Sequence, residues 1–287
     1  MARAALRMSV WIAALAVTLG APAQAADTGQ DRFSTALAAL PPQRPGVVDA
    51  YVVVAALDPT PVFGREAREA GRVLARRFGA EGRTIVLAND EGGDSADASS
   101  TIDHLQRAIQ HAATLMDRNE DVLVLYTTSH GAPDQGLVFR NPLGTNTIVA
   151  PAELAAMLDK PGVRNRLVIL QACFVGQFVP ALAGPGTVVA TAASAMTSSF
   201  GCATGNDWTF FGYALINQAM RKPDTFLRQF RRAYVSIVGW EDKAHVTPSS
   251  PQISVGKDSA GWLAALDAHA PDASGPPVGR PPAEAAR

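Results

Sequence analysis

The sequence predicts an α/β protein with a mostly parallel central sheet and helices on both faces. Three observations predict it. Several short runs are apolar at every position rather than at alternate ones, as strands buried on both faces must be. Between them lie segments whose apolar residues recur at helical spacing. Strand and helix signals also alternate along the chain, the pattern of parallel strands joined by crossover helices. The 287 residues, 47% apolar and 18% charged, suffice for one large buried core and exclude wholesale disorder. A net charge of −1 lacks the basic footprint of a nucleic-acid binder, so no nucleic-acid partner is expected.

Residues 1–25 read as a signal peptide. Arg3 and Arg7 give a positive start, Met8 to Ala21 an uncharged apolar stretch, and Ala23-Gln24-Ala25 the small-x-small pattern of a cleavage site. That stretch is too short for a comfortable membrane span, and no later run reaches 18 uncharged apolar residues. The mature chain is therefore expected to be exported, periplasmic or secreted, without stable membrane insertion. Residues 26–49, with Pro41, Pro42 and Pro45, read as a linker, and 50–262 as the folded domain.

Within the domain, Ala50–Ala56 is a β-branched apolar run and the first strand. Arg65–Phe78 follows with Ala67, Val73, Leu74 and Phe78 at helical spacing. Thr84–Ala88 is a second strand, and Asn89–Ser100 a loop rich in Gly, Asp and Ser. Ile102–Met116 is an amphipathic helix carrying Leu105, Ile109 and Ala112 on one face. Val122–Tyr126 is the third strand, after which a hairpin of Gly136–Phe139 with Thr147–Ala150 interrupts the alternation. Ala152–Leu158 is helical, Leu167–Leu170 and Thr187–Thr191 are strands, and Trp208–Met220 and Phe226–Val238 are helices. Residues 263–287, rich in Pro, Ala and Gly from Ala268, read as a disordered tail.

Reactive groups in open α/β sheets gather beyond the carboxyl ends of strands. The third strand runs into Thr127-Thr128-Ser129-His130-Gly131 and the next into Gln171-Ala172-Cys173. If these strands are neighbours, His130 and Cys173 face one crevice as a thiol nucleophile and its base. Gly131, with no side chain, leaves its N–H unobstructed as an oxyanion donor. The chain has only one other cysteine, Cys202, and export makes a Cys173–Cys202 disulfide the default for two cysteines. Both readings of Cys173 stand on these residues alone. His104 and His111 lie on one helix and read as a solvated face; no metal-ligand spacing, phosphate-binding glycine motif or Gly-x-Ser-x-Gly elbow occurs. No cofactor or metal is expected.

The apolar strand ending in Thr128-Ser129-His130-Gly131, then 43 residues on from His130 the strand ending in Gln171-Ala172-Cys173, resembles the legumain-like cysteine peptidases, in particular bacterial exported members. Thr191-Ala192-Ala193, Ser198-Ser199-Phe200-Gly201-Cys202, Asp207-Trp208 and Pro251-Gln252-Ile253 recur in the family's order. The resemblance spans Tyr51 to Gly256 and implies a caspase-like three-layer α/β sandwich. It implies Cys173 as nucleophile, His130 as general base, and the N–H groups of Gly131 and Cys173 as oxyanion donors. It places Ser198 and Asp207 in the acyl-side pocket, where the family clasps an asparagine side chain. Gln171 stands where the family has a glutamate, and Arg65 is the candidate basic group. Asp58, after the first strand, is the candidate to orient His130; as a turn residue before Pro59 it has a second reading. The implied function is an exported endopeptidase acting on a peptide or protein substrate after Asn-like residues. A transpeptidase or ligase would use the same acyl-enzyme, and a catalytically silent binding protein would carry the Cys173–Cys202 disulfide. The resemblance favours free thiols, because the family carries a second, non-nucleophilic cysteine at the position of Cys202.

Overall fold

A computed structural model describes residues 32–89, 96–141, 146–268 and 275–282, with Met1 and Ala270. The expected signal peptide from residue 2 onward, half of the loop 89–100 and parts of the tail lie outside the described residues. Residues 32–38 form a helix, α1, and then come β1 (Ala50–Ala56), α2 (Pro61–Arg77), β2 (Thr84–Leu87), α3 (Ile102–Leu115) and β3 (Val122–Thr128). The second half has β4 (Gly131–Ala132), β5 (Gly136–Arg140), β6 (Asn146–Val149), α4 (Pro151–Asp159), β7 (Asn165–Gln171), α5 (Val179–Leu182) and β8 (Thr187–Thr191). A π-helix over Gly212–Ala219, α6 (Phe226–Ala244), β9 (Gln252–Val255) and α7 (Ala260–Ala268) complete the order.

Six strands make the central sheet in the order β2-β1-β3-β7-β8-β9, parallel except for antiparallel β9. All seven residues of β1 and of β3 are buried, which explains the unbroken apolar runs of β1 and of Val122–Tyr126 in β3. From β1 the chain crosses by α2 to β2, then back by α3 to β3 on the far side of β1. Right-handed crossovers in opposite directions put α2 and α3 on opposite faces. The π-helix and α6 share the α2 face; α4 and α5 lie with α3. The result is the expected α/β three-layer sandwich. A separate three-stranded antiparallel sheet, β4-β5-β6, contains the expected hairpin.

Two differences from the sequence-based expectation matter for the site. Helix α2 starts at Pro61, not Arg65, because Asp58 makes the turn before it and proline is pre-set for a first helical position. Helix α7 runs on to Ala268, past the expected boundary at 262, with Leu263 and Leu266 buried. It is fastened by Arg77, itself buried, whose guanidinium donates to Asp267 at 2.5 Å and to the carbonyls of Leu266 and Asp224.

His104 and His111 are more than a solvated face. The His104 ring packs against Phe33, with centroids 4.3 Å apart, and the His111 ring hydrogen-bonds the Leu37 carbonyl, joining α3 to α1.

Candidate active site

Register explains how the site is assembled. In the β3–β7 ladder Thr128 pairs with Gln171, and the Ser129 N–H continues it by donating to the Gln171 carbonyl. His130 and Cys173 each lie two residues beyond that pair, at adjacent strand tips. The two backbones approach so closely there that a Cβ on Gly131 would meet the Cys173 carbonyl oxygen at 1.8 Å. Glycine is required at 131 for this contact.

After Cys173 the chain turns sharply. Phe174 takes a left-handed conformation, φ 59°, and its N–H donates to the Thr197 carbonyl. Gly176 packs against the backbone of Ser194 and Ala195. The loop after β8 is thereby pinned to the nucleophile turn, and the Cys173 thiol lies 3.5 Å from the Ser199 carbonyl as its donor. Ser198, exposed, sits between the two residues that touch this turn. Both Cys173 and Cys202 are free thiols, half-buried. Burial, then the neighbouring Cys173, push the Cys202 thiol above its ordinary range.

The imidazole of His130 is half-buried and meets the edge of Phe63, from α2, at 5.0 Å between centroids in a T-shaped contact. Burial pulls its pKa below the ordinary histidine value; Asp58 pulls upward and Arg140 downward. Asp58 is buried, and one of its oxygens accepts from the Thr60 N–H and hydroxyl at 2.9 and 2.5 Å, the turn that starts α2. The other oxygen lies 3.3 Å from the Arg140 guanidinium and has no hydrogen bond among the described residues. Asp58 therefore reaches His130 as a charge. Arg140 arrives at the end of β5, where its N–H donates to the Leu57 carbonyl.

The expected pocket residues fall into two groups. Gln171 ends β7, buried, with its side-chain carbonyl oxygen unpartnered among the described residues. Arg65 and Asp207 come together: the guanidinium of Arg65 donates to the carbonyls of Thr204 and Asn206 at 2.7 and 2.5 Å and faces the Asp207 carboxylate at 3.9 Å. Asp207 does not cap the following helix; Thr209 does, its hydroxyl accepting from the Gly212 N–H at 3.0 Å. The expected helix over Trp208–Met220 begins two residues later, at Phe210, and widens into the π-helix at Gly212.

A segment of the expected tail also reaches this loop. The Val278 carbonyl accepts from the Trp208 indole at 2.9 Å and the Asn217 amide at 2.8 Å, and the Val278 N–H donates to Asn217 at 3.1 Å. The Arg280 N–H then donates to Asp207 at 2.9 Å. Sequence reasoning found none of Thr209, Asn217, Val278, Arg280, or the buried Glu66 next to Arg65. Only Glu66 carried a signal, an acid among the apolar positions of an amphipathic helix.

A half-buried thiol at the strand tip next to that of a histidine whose burial disfavours the imidazolium, at the carboxyl edge of a parallel sheet, can form a thiolate and attack a carbonyl. Among the described residues no group of three or more His, Cys, Asp and Glu side chains is placed to hold a metal ion, and no helix is long and apolar enough to cross a membrane.

The profile of the Peptidase C13 family matches residues 98–260. No curated protein sequence matches. Among solved structures, caspase-1 from Spodoptera frugiperda is similar at 14% identity and a TM-score of 0.49, over 73% of this chain and 88% of that one.

Proposed function

Because the chain belongs to the Peptidase C13 family, and is thereby a legumain-like cysteine-type peptidase, we propose that it is an exported endopeptidase with Cys173 as nucleophile and His130 as general base. The observation that carries the assignment is the Thr128–Gln171 register pair, which sets both residues at equal distance past neighbouring strands. His130 takes the thiol proton, and the thiolate attacks the scissile carbonyl carbon. The N–H groups of Gly131 and Cys173 receive the oxyanion. Collapse of the tetrahedral intermediate expels the amine, which takes the proton from His130. Water, deprotonated by the same imidazole, then hydrolyses the acyl-enzyme.

On the acyl side, Arg65, Asp207, Ser198 and Gln171 supply a guanidinium, a carboxylate, a hydroxyl and an amide. That set suits a side chain with both a donor and an acceptor, as in asparagine. A carboxylate pocket disfavours aspartate at neutral pH, because two carboxylates share a desolvated site only if one takes a proton. Export rests on the N-terminal pattern of residues 1–25.

The test is a peptide library presented to the wild-type chain and to Cys173→Ala. The expected result is cleavage by the first, none by the second, with Asn enriched before the cleaved bond. Full turnover by Cys173→Ala would remove the assignment.

A further inference from the structure

We propose that Glu66 is a positioning residue for the substrate pocket: its buried carboxylate fixes the loop 201–209, and through it the place of Asp207. The inference rests on the reading above that Asp207 lines the pocket.

Glu66 is fully buried on the second turn of α2. One oxygen accepts from the Tyr126 hydroxyl at 2.6 Å; the other accepts from the N–H and the hydroxyl of Thr209, both at 2.8 Å. No cation pairs with it among the described residues. Burial raises its pKa, opposed by these hydrogen bonds. If this position only filled space, an apolar side chain of similar size would do so without desolvating a carboxylate. The carboxylate does what such a side chain cannot: it accepts three hydrogen bonds from two separate elements.

Those bonds fall where the pocket needs them. Arg65 and Glu66 are consecutive and diverge to the two ends of one loop segment. Arg65 takes the carbonyls of Thr204 and Asn206, and Glu66 takes the N–H of Thr209, so Asp207 lies between the two anchor points. Because the Thr209 hydroxyl donates to Glu66, its lone pairs turn to the Gly212 N–H and cap the helix that follows. Space for the carboxylate comes from Gly212, where a Cβ would lie 2.3 Å from it. Tyr126 ties the same group to β3, four residues before His130. The carboxylate thus refers the pocket wall to the strand that carries the base.

The role predicts a separation between binding and chemistry, since Cys173 and His130 are held by other contacts. In the full chain, Glu66→Leu is expected to raise KM for an Asn-containing peptide about tenfold, a loss on the order of one to two net hydrogen bonds. The iodoacetamide alkylation rate of Cys173 should stay within about twofold of wild type on the same grounds. Glu66→Gln should rescue KM, its oxygen accepting from Thr209 and its amide donating to Tyr126. An unchanged KM in Glu66→Leu, or a fall in alkylation rate parallel to the rise in KM, would overturn the proposal. If Glu66→Leu does not fold, Thr209→Ala decides: a raised KM at unchanged alkylation rate supports the role, and an unchanged KM overturns it. Asp207→Asn is measured alongside. A cleavage profile unaffected by Asp207→Asn defeats the pocket reading; a changed profile with Glu66→Leu at wild-type KM defeats only the positioning role.

Discussion

The carbonyl oxygen of Cys173 occupies the space a side chain at Gly131 would need, 1.8 Å from the position of its Cβ. The colliding atom is backbone, so no rotamer relieves the clash. The contact holds the two strand tips in one fixed relation, which a thiol–imidazole pair requires.

Gly131→Ala should therefore separate the tips. The expected result is a loss of kcat on the order of 10²-fold, as for misplaced reacting groups, with destabilisation of about 1–3 kcal/mol from overpacking. Single-turnover acylation and thermal melting measure the two effects. Wild-type acylation by this variant would show that the contact does not align the site.

The two thiols should differ in reactivity. Burial and the neighbouring Cys173 raise the pKa of Cys202, so less of it is thiolate at neutral pH. Iodoacetamide should label Cys173 first, and Cys202→Ala should keep most activity. Mass-spectrometric mapping checks the order, and faster labelling of Cys202 would refute it.

The acid limb of kcat/KM should lie below the ordinary histidine value near 6.5, since burial makes the imidazolium harder to form. Arg140→Met removes a cation that disfavours the imidazolium, so the limb should move up. Asp58→Asn removes the anion that favours it, so the limb should move down. Shifts in the same direction for both variants would contradict this electrostatic arrangement.

The order of elements and the Cys–His pair were legible because each rests on local pattern: unalternating strands, and reactive residues just past them. The apolar pattern of β3 ends at Tyr126, but the strand runs to Thr128, since Thr127 and Thr128 are polar yet buried in the ladder. β9 carried no strand signal, being four half-exposed residues paired only through β8. Arg140 reaches Asp58 because a hairpin folds back on β1, and Val278 reaches Trp208 across 70 residues; no periodicity encodes either.

The segment around Val278 makes a further prediction. Arg280 and Arg65 both neighbour Asp207, so its carboxylate is already engaged. Ending the chain at residue 276 removes the Val278 and Arg280 contacts. Trp208 emission should shift to the red as its indole meets water, and KM for Asn-containing peptides should fall. Unchanged fluorescence would mean the segment does not rest there in solution.

The Arg77–Asp267 pair sets how short the chain can be made. Arg77 is sequestered, and the carboxylate it pairs with comes from the last turn of α7. A chain cut at residue 262 would take away that counter-charge together with the cover of Leu263 and Leu266, at a penalty of about 3–5 kcal/mol for breaking a buried pair. That is a large share of the roughly 5–15 kcal/mol that holds a domain together. The smallest autonomous unit therefore extends to the end of α7, some eight residues past the last one the family profile matches. Expression trials that trim to the profile's limit would yield insoluble material, while a stop after Ala268 would not.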